Sequence, residues 1–215
     1  MTSFGLCATI YHQLNQLFPF KDGRLEILSR IMSEIDAAQV QSFNCLQQWK
    51  DFAGIIQIDP LNSRQYCTFL IILSRALYLK GWLEESDIIS YLNKSINCCE
   101  VYGHISLKPN FMIGHTVGIV LGKASYGNHI SIQHSVTVGK WGDSCPVIGD
   151  RVAILNGAVV AGSTVIGSDS LIAARTRLIN AIVPPGVIVF NGQGKELIFK
   201  ENKSLPLIQW MANTG

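Results

Sequence analysis

Residues 148–178 have the sequence IGDRVAILNGAVVAGSTVIGSDSLIAARTRL, and this stretch decides the fold. A bulky aliphatic residue occupies every sixth position: Ile148, Ile154, Val160, Ile166, Ile172 and Leu178. A period of six matches neither the 3.6 residues of a helical turn nor the two-residue alternation of a strand. It predicts short strands joined by turns and stacked in successive coils, with the bulky side chains pointing into one continuous interior.

The same ladder extends backwards with less regularity. Its earlier rungs are Leu107, Ile113, Ile119 or Val120, Tyr126, Ile132 and Val138. The register then breaks, and residues 139–146 (GKWGDSCP) are predicted to form a loop that leaves the coil. Loops on a rigid scaffold often carry function. The alternative is a solvated excursion without a role.

Composition narrows the class of protein. The 215 residues suffice for one large or two modest domains, and charged residues make up only 15% of them. A net charge of +2 gives no reason to expect nucleic acid or an acidic membrane as a partner. The longest apolar run, residues 69–73, is far too short for a membrane span, and residues 1–20 lack the pattern of a signal peptide. We therefore expect a cytoplasmic protein, with its six cysteines present as reduced thiols.

Two kinds of sequence pattern divide the chain. Up to about residue 100 glycine is sparse and apolar residues recur at helical spacing, as in Leu70, Leu73 and Leu77 before Gly81. The prediction is an α+β chain with a helical N-terminal domain over residues 1–100. The coil follows over 101–190 and ends near a Pro-Pro-Gly sequence, and residues 191–215 form a strand and an uncertain tail.

Residues 114–122 (GHTVGIVLG) and 131–139 (SIQHSVTVG) resemble the hexapeptide-repeat acyltransferases, and within them the serine acetyltransferase branch. The resemblance covers roughly residues 63–195 and includes the order of a helical domain before the coil. It implies a left-handed parallel β-helix and a homotrimer, with a dimer of trimers through the helical domain as a further option. It also implies acetyl-CoA as the donor, bound between neighbouring coils, and no metal.

By this resemblance His115 stands where the family has its catalytic base. A hydroxyl is a poor nucleophile until its proton is removed during attack on the thioester carbonyl. Imidazole suits this task, because its unperturbed pKa is about 6.5. His134, in the matching segment one coil later, is predicted to be structural or to line the acceptor site.

The chain departs from the serine acetyltransferase pattern at the acceptor site. The family's aspartate before the catalytic histidine is Gly114 here, and its Arg-His pair in the following loop is Ser144 and Cys145. A zwitterion needs a carboxylate for its ammonium and a cation for its carboxylate, so these positions argue against free serine. The family's orienting carboxylate also has no match, which leaves a backbone carbonyl, Asn110 or a neighbour's Asp143 to orient His115.

The loop offers a different acceptor. Trp141, an exposed tryptophan beside glycine, could stack on a sugar ring, and its N–H could donate to an oxyanion. Polysaccharide O-acetyltransferases, including those that act on capsular sialic acid polymers, are similar in pairing a histidine with such a tryptophan. The sequence therefore predicts a carbohydrate O-acetyltransferase with catalytic His115 and Trp141 and acceptor contacts from His134, Lys140 and Asp143. The alternative role for Trp141 is packing at the trimer interface.

For the donor, the resemblance assigns main-chain contacts to the positions of Gly139, Asn156 and Ala174. Arg175, Arg177 and Lys195, with Lys140, are the nearby cations for the phosphates of coenzyme A. Either arginine could instead be a solvated surface charge.

Other functions stay open. Serine O-acetylation in cysteine biosynthesis is the first alternative to the carbohydrate acceptor. A γ-carbonic-anhydrase-like zinc hydratase is the second, with His129 and His134 joined by His104 or His115. Cys145 could form an acyl-enzyme intermediate, although no base is evident beside it.

Overall fold

A computed structural model describes residues 3–18, 25–194 and 196–203. Four α-helices precede the coil: α1 (Ser3–Leu17), α2 (Leu25–Leu46), α3 (Ser63–Leu79) and α4 (Leu83–Asn97). A short 3-10 helix, Lys50–Phe52, lies between α2 and α3. The Asn62 side chain caps α3 by accepting the Gln65 N–H at 3.3 Å, and Gly81 (φ 77°) ends it in the left-handed conformation that glycine tolerates.

Fifteen short strands follow. They are β1 (Cys99–Val101), β2 (Phe111–Ile113), β3 (Ile119–Leu121), β4 (Ser125–Tyr126), β5 (Ile130–Ile132), β6 (Thr137–Gly139), β7 (Val147–Ile148), β8 (Ala153–Ile154), β9 (Val159–Ala161), β10 (Val165–Ile166), β11 (Leu171–Ile172), β12 (Arg177–Ile179), β13 (Ile182–Val183), β14 (Val187–Asn191) and β15 (Leu197–Glu201).

Three parallel sheets form the sides of the coil. We call them sheet 1 (β1-β3-β6-β9-β12), sheet 2 (β4-β7-β10-β13) and sheet 3 (β2-β5-β8-β11-β14, closed by antiparallel β15). The chain passes from sheet 3 to sheet 1 at corner A, from sheet 1 to sheet 2 at corner B, and from sheet 2 back to sheet 3 at corner C. The predicted α+β architecture, a helical domain followed by a parallel β-helix, is confirmed.

The predicted rungs stack in the interior. Ile154 pairs with Ile172, and Val160 pairs with Leu178, in each case eighteen residues later along the chain. One turn therefore consists of three six-residue units, and all four side chains are fully buried. One predicted rung of the early ladder is wrong: Leu121, and not Ile119 or Val120, stacks on Val138. Ile119 is also buried there, whereas Val120 points outward.

The helical domain covers the outer face of sheet 3. Met112 and Ala153 point away from the coil interior and join the apolar core of the helices, together with residues such as Phe69 and Leu73. This packing explains why a strand of the coil can be buried on both faces. In the described part of the chain, no helix has the length and apolar character needed to cross a bilayer.

Corner C is held by an ion pair between successive turns. Arg151 donates from Nε and Nη2 to the two carboxylate oxygens of Asp169, at 2.6 and 2.8 Å. Both residues have positive φ, so the same left-handed turn repeats at this corner and places the two side chains one above the other. The hydrogen bonds from Arg151 lower the pKa of the Asp169 carboxyl below its usual value.

The Asp169 ion pair predicts a pH-dependent contribution to stability. Because the folded-state pKa is lower than the unfolded one, the carboxylate stabilises the fold above about pH 4. That contribution is lost as the pH falls through the folded-state pKa. We expect Asp169→Asn to reduce the free energy of unfolding by up to about 1 kcal/mol at pH 7, and to have a smaller effect near pH 3, as measured by urea unfolding.

Glu201→Gln is the matched control, because Glu201 forms only a solvent-exposed ion pair with Lys203 at 3.8 Å. It should leave the free energy of unfolding unchanged at both pH values. A loss for Asp169→Asn of equal size at pH 7 and pH 3 would show that the ion pair is not its cause.

Candidate functional site

His115 lies in an enlarged turn of corner A. Leu121 follows Ile113 by eight positions, whereas Val138 follows Ile132 by only six in the turn that stacks on it. The longer connection between β2 and β3 leaves Thr116 buried and His115 exposed. The predicted base therefore lies in a turn that is longer than the regular turns of the coil, and its exposed side chain can contact a bound molecule.

His134 lies beside His115 in the next turn of corner A. The two ring centroids are 5.8 Å apart, and the rings meet edge to face at 68°. The Nδ1 atom of His134 is buried without a hydrogen-bond partner in the described residues. His134 thus packs against the candidate base. Its predicted role as a structural or acceptor-lining residue stays a prediction.

A cavity of about 170 Å³ opens beside His115. It is lined by residues of both the helical domain and the coil: Asp51, Arg64, Met112, Gly114, His115 and Gln133. A Cβ atom at position 114 would overlap the side-chain amide of Gln133. The Gln133 amide therefore lies directly over Gly114, and a larger residue at position 114 would displace the end of this side chain.

Two charged residues of the cavity come from the helical domain. Arg64, in the first turn of α3, donates from Nη2 to Oδ2 of Asp51 at 2.8 Å. The guanidinium lies over the ring of Phe52, with 4.5 Å from Cζ to the ring centroid. Packing of α3 and the short 3-10 helix against β2 therefore places one carboxylate, Asp51, and one guanidinium, Arg64, next to His115.

The predicted loop residues lie elsewhere. Trp141, Lys140 and Asp143 are in corner B, where Trp141 and Ser144 pair as an antiparallel bridge around Gly142 (φ 59°). This confirms that the segment leaves the coil. In one chain these three side chains do not line the cavity at His115, so they could meet it only across an interface between subunits.

The predicted donor residues are divided between the corners. Asn156, Ala174 and Arg175 lie in corner A, the first in the turn below His134. Gly139 ends β6 and Arg177 begins β12, both in sheet 1, while Lys195 lies outside the described residues. Arg175 and Arg177 are exposed and form no ion pair within the described ranges. They are therefore available to an anionic ligand.

The histidines of the zinc alternative do not meet in one chain. His129 lies in corner C and His134 in corner A, and the His104 ring stacks on Tyr102 at 5.8 Å. No cluster of three potential metal ligands occurs among residues 3–18, 25–194 and 196–203. Cys145 lies at corner B, away from the cavity.

No side chain of the described residues hydrogen-bonds to the His115 ring, so no orienting side chain is identified in this part of the chain. Asn110 was one candidate for this role, and its own backbone N–H donates to the side chain of Asn128 at 3.3 Å. The predicted partner Asp143 of a neighbouring subunit stays a prediction.

Sequence reasoning missed Asp51, Arg64 and Gln133. Gln133 stands in the quoted repeat segment directly before His134, but no feature of that segment marks it as part of the site. Asp51 and Arg64 belong to no motif. Their place beside His115 follows only from the docking of the helices on sheet 3.

Comparison with known proteins agrees with this architecture. No family model matches the chain. It is 35% identical over 122 residues to serine acetyltransferase of Mycobacterium tuberculosis, a match that covers 52% of this chain and 53% of that protein. It is 28% identical over 200 residues to serine acetyltransferase of Buchnera aphidicola subsp. Schizaphis graminum, covering 81% and 73% of the two chains. The chain thus spans about half the length of the first of these relatives.

A solved structure shows the same fold. Serine acetyltransferase from Brucella abortus strain S19, in complex with coenzyme A, superposes with a TM-score of 0.69 at 20% identity, covering 94% of this chain and 82% of the other. The chain is therefore similar in sequence to serine acetyltransferases and has their fold. The predicted resemblance to this branch of the hexapeptide-repeat acyltransferases is supported.

The prediction of a carbohydrate acceptor is wrong, as is the likeness to enzymes of capsular polysaccharide. The relatives and the solved structures are serine acetyltransferases. The structure supplies the physical reason. Within one chain Trp141, on which the sugar prediction depended, does not line the cavity at His115, and this cavity is smaller than the ~300–1,000 Å³ typical of larger ligands.

Proposed function

We propose that this chain is an acetyl-CoA-dependent O-acetyltransferase that acetylates the side-chain hydroxyl of serine. One observation carries the proposal: the exposed His115 heads a small polar cavity in a chain that is 35% identical to a serine acetyltransferase over 122 residues. The cavity has room for a small amino acid and contains both a carboxylate and a guanidinium. Gly114, Ser144 and Cys145 lack the charges that free serine needs. Asp51 and Arg64 in the cavity can supply them instead.

His115 acts as the general base in this proposal. Its imidazole accepts the proton of the serine hydroxyl while the oxygen attacks the acetyl carbonyl, and it returns a proton to the departing thiolate of coenzyme A. Bound acetyl-CoA supplies the activated acyl group. The edge-to-face contact with His134 restricts rotation of the His115 ring and so keeps it directed at the cavity.

The residues of corner A and sheet 1 fit the donor. Arg175 and Arg177 are exposed cations without acidic partners in the described residues, and a guanidinium suits phosphate groups because its planar donors match their oxygens. The side chain of Arg175 also packs against Gly157 in the preceding turn. Gly139, Asn156 and Ala174 keep their predicted role as main-chain donor contacts.

Direct attack in a ternary complex is the pathway we favour. Cys145, the candidate for an acyl-enzyme intermediate, lies at corner B, where it does not line the cavity of His115. An activated thiol would need a base within hydrogen-bonding distance. The arrangement in one chain therefore supports a single-step transfer to the acceptor.

A homotrimer is part of the proposal, and the outer face of sheet 2 supports it. Val147, Val165 and Ile182 are exposed and lie side by side in register on successive strands. A contiguous apolar stripe of this kind is typical of a surface that another subunit covers. Such assembly would also allow Trp141 and Asp143 of one subunit to approach His115 of the next. A dimer of trimers and a cytoplasmic location stay predictions.

The activity predicts a specific effect of His115→Ala. With acetyl-CoA and L-serine, we expect the wild type to release coenzyme A and the variant to lose about 10²- to 10⁴-fold in kcat, because general-base catalysis contributes that much. Thiol release followed with a chromogenic reagent measures it.

His104→Ala is the control for that assay. His104 is exposed and stacks on Tyr102 outside the cavity, so its replacement should leave kcat within about twofold. Absence of L-serine-dependent thiol release by the folded wild type would overturn the proposed acceptor. Equal activity of His115→Ala and the wild type would overturn the assigned base.

The apolar stripe predicts a loss of assembly in the double variant Val165→Glu, Ile182→Glu. Two carboxylates that face each other in a buried interface would be desolvated without partners, which is costly. Light scattering after size-exclusion chromatography should show a trimer for the wild type and a monomer for the variant. A trimer in both cases would place the interface on another face of the coil.

A further inference from the structure

The acceptor site of this chain requires charges that the predicted positions do not provide. Gly114, Ser144 and Cys145 stand where the resemblance places the groups that hold the amino and carboxylate groups of serine. A free amino acid binds poorly unless both of its charges are compensated. The cavity at His115 contains one carboxylate, that of Asp51, and one guanidinium, that of Arg64, and both belong to the helical domain.

Arg64 is positioned to bind a carboxylate. Its side chain is only 24% exposed and lies between the Phe52 ring and Met112, whose Sδ is 3.6 Å from Nη2. Its Nε is buried without an acceptor among the described residues. A buried charged donor without a partner is unfavourable in the free protein. A small shift of the Arg64 side chain that presents Nε to a ligand carboxylate would remove that cost.

Asp51 is positioned to receive the ammonium group. Its side chain is 61% exposed, and Oδ2 accepts from Arg64, which leaves Oδ1 without a side-chain partner in the described part of the chain. An ion pair this exposed contributes little to stability, so its rearrangement around a zwitterion has a low cost. The ligand's two charges would then face the two charges of the pair.

Gln133 lines the same cavity as this ion pair and His115. Its amide occupies the space above Gly114 and lines the cavity, and it forms no side-chain hydrogen bond with the described residues. It therefore has a free donor and a free acceptor next to the candidate base. A hydroxyl directed at His115 would pass beside this amide.

We propose that Asp51 and Arg64 recognise the amino and carboxylate groups of the acceptor, so that the helical domain selects a free β-hydroxy amino acid and His115 activates its hydroxyl. The inference rests on the proposed function and adds the residues that determine acceptor specificity. It assigns the helical domain a place in the site in addition to its packing on sheet 3.

The test removes one charge from the protein and the matching charge from the acceptor. Arg64→Met, Arg64→Lys and Asp51→Asn are assayed for thiol release with L-serine, with L-serinamide, which lacks the carboxylate, and with 3-hydroxypropionate, which lacks the ammonium. Arg64→Met should reduce kcat/KM for L-serine about 10- to 100-fold and change that for L-serinamide much less. Asp51→Asn should show the same contrast between L-serine and 3-hydroxypropionate.

Lys50→Met is the matched control, because Lys50 is an exposed cation beside Asp51 that does not line the cavity. It should behave as the wild type. Circular dichroism and coenzyme A binding report whether each variant is folded. If Arg64→Met is not, Arg64→Lys keeps the charge and loses the planar donors, and its discrimination against L-serinamide should still fall.

The outcomes separate the two proposals. The first outcome is that the wild type uses L-serine and the folded variants show the same relative activities with the three acceptors as the wild type. In that case the proposed activity stands, but Asp51 and Arg64 do not recognise the acceptor. If the folded wild type releases no thiol with L-serine, the proposed function and this inference both fail. A loss with L-serine that is equally large with the analogue lacking the matching charge would show a merely structural role.

Discussion

The eighteen-residue repeat of the coil is the constraint on which the rest of the structure depends. Because Ile154 stacks on Ile172 and Val160 on Leu178, each corner residue lies directly over its counterpart one turn away. The apolar interior fixes this register, since a shift of one residue would expose the rungs. Irregularities are therefore confined to the corners, and an insertion at a corner projects from an otherwise rigid column. His115 occupies such an insertion in the turn between β2 and β3.

The helical domain contributes to the site through the same geometry. Its apolar residues pack on Met112 and Ala153 at the outer face of sheet 3, next to corner A. Arg64 contacts Met112, two residues before Gly114, and so stands at the mouth of the corner that carries His115. Packing that buries one face of the sheet thus brings Asp51 and Arg64 within reach of a molecule at the base. The packing of the helical domain on sheet 3 therefore contributes both to the stability of the fold and, in our proposal, to recognition of the acceptor.

Much of the fold could be predicted from the sequence, because the six-residue period is a local property. The rungs from Ile148 to Leu178, the loop at residues 139–146 and the helical character of the N-terminal part all follow from neighbouring residues. The early rungs were less certain, since the longer corner at His115 shifts the register, and Leu121 rather than Ile119 or Val120 stacks on Val138. The acceptor was predicted wrongly for a different reason. Asp51 and Arg64 are far from His115 in sequence, and only tertiary packing brings them there.

A crystal structure with coenzyme A and L-serine bound is the measurement that tests the central claim most directly. The account predicts the serine carboxylate within hydrogen-bonding distance of Arg64, its ammonium at Asp51 and its hydroxyl oxygen at the His115 ring. Serine bound at corner B, near Trp141 and Cys145, with the cavity at His115 unchanged, would contradict it.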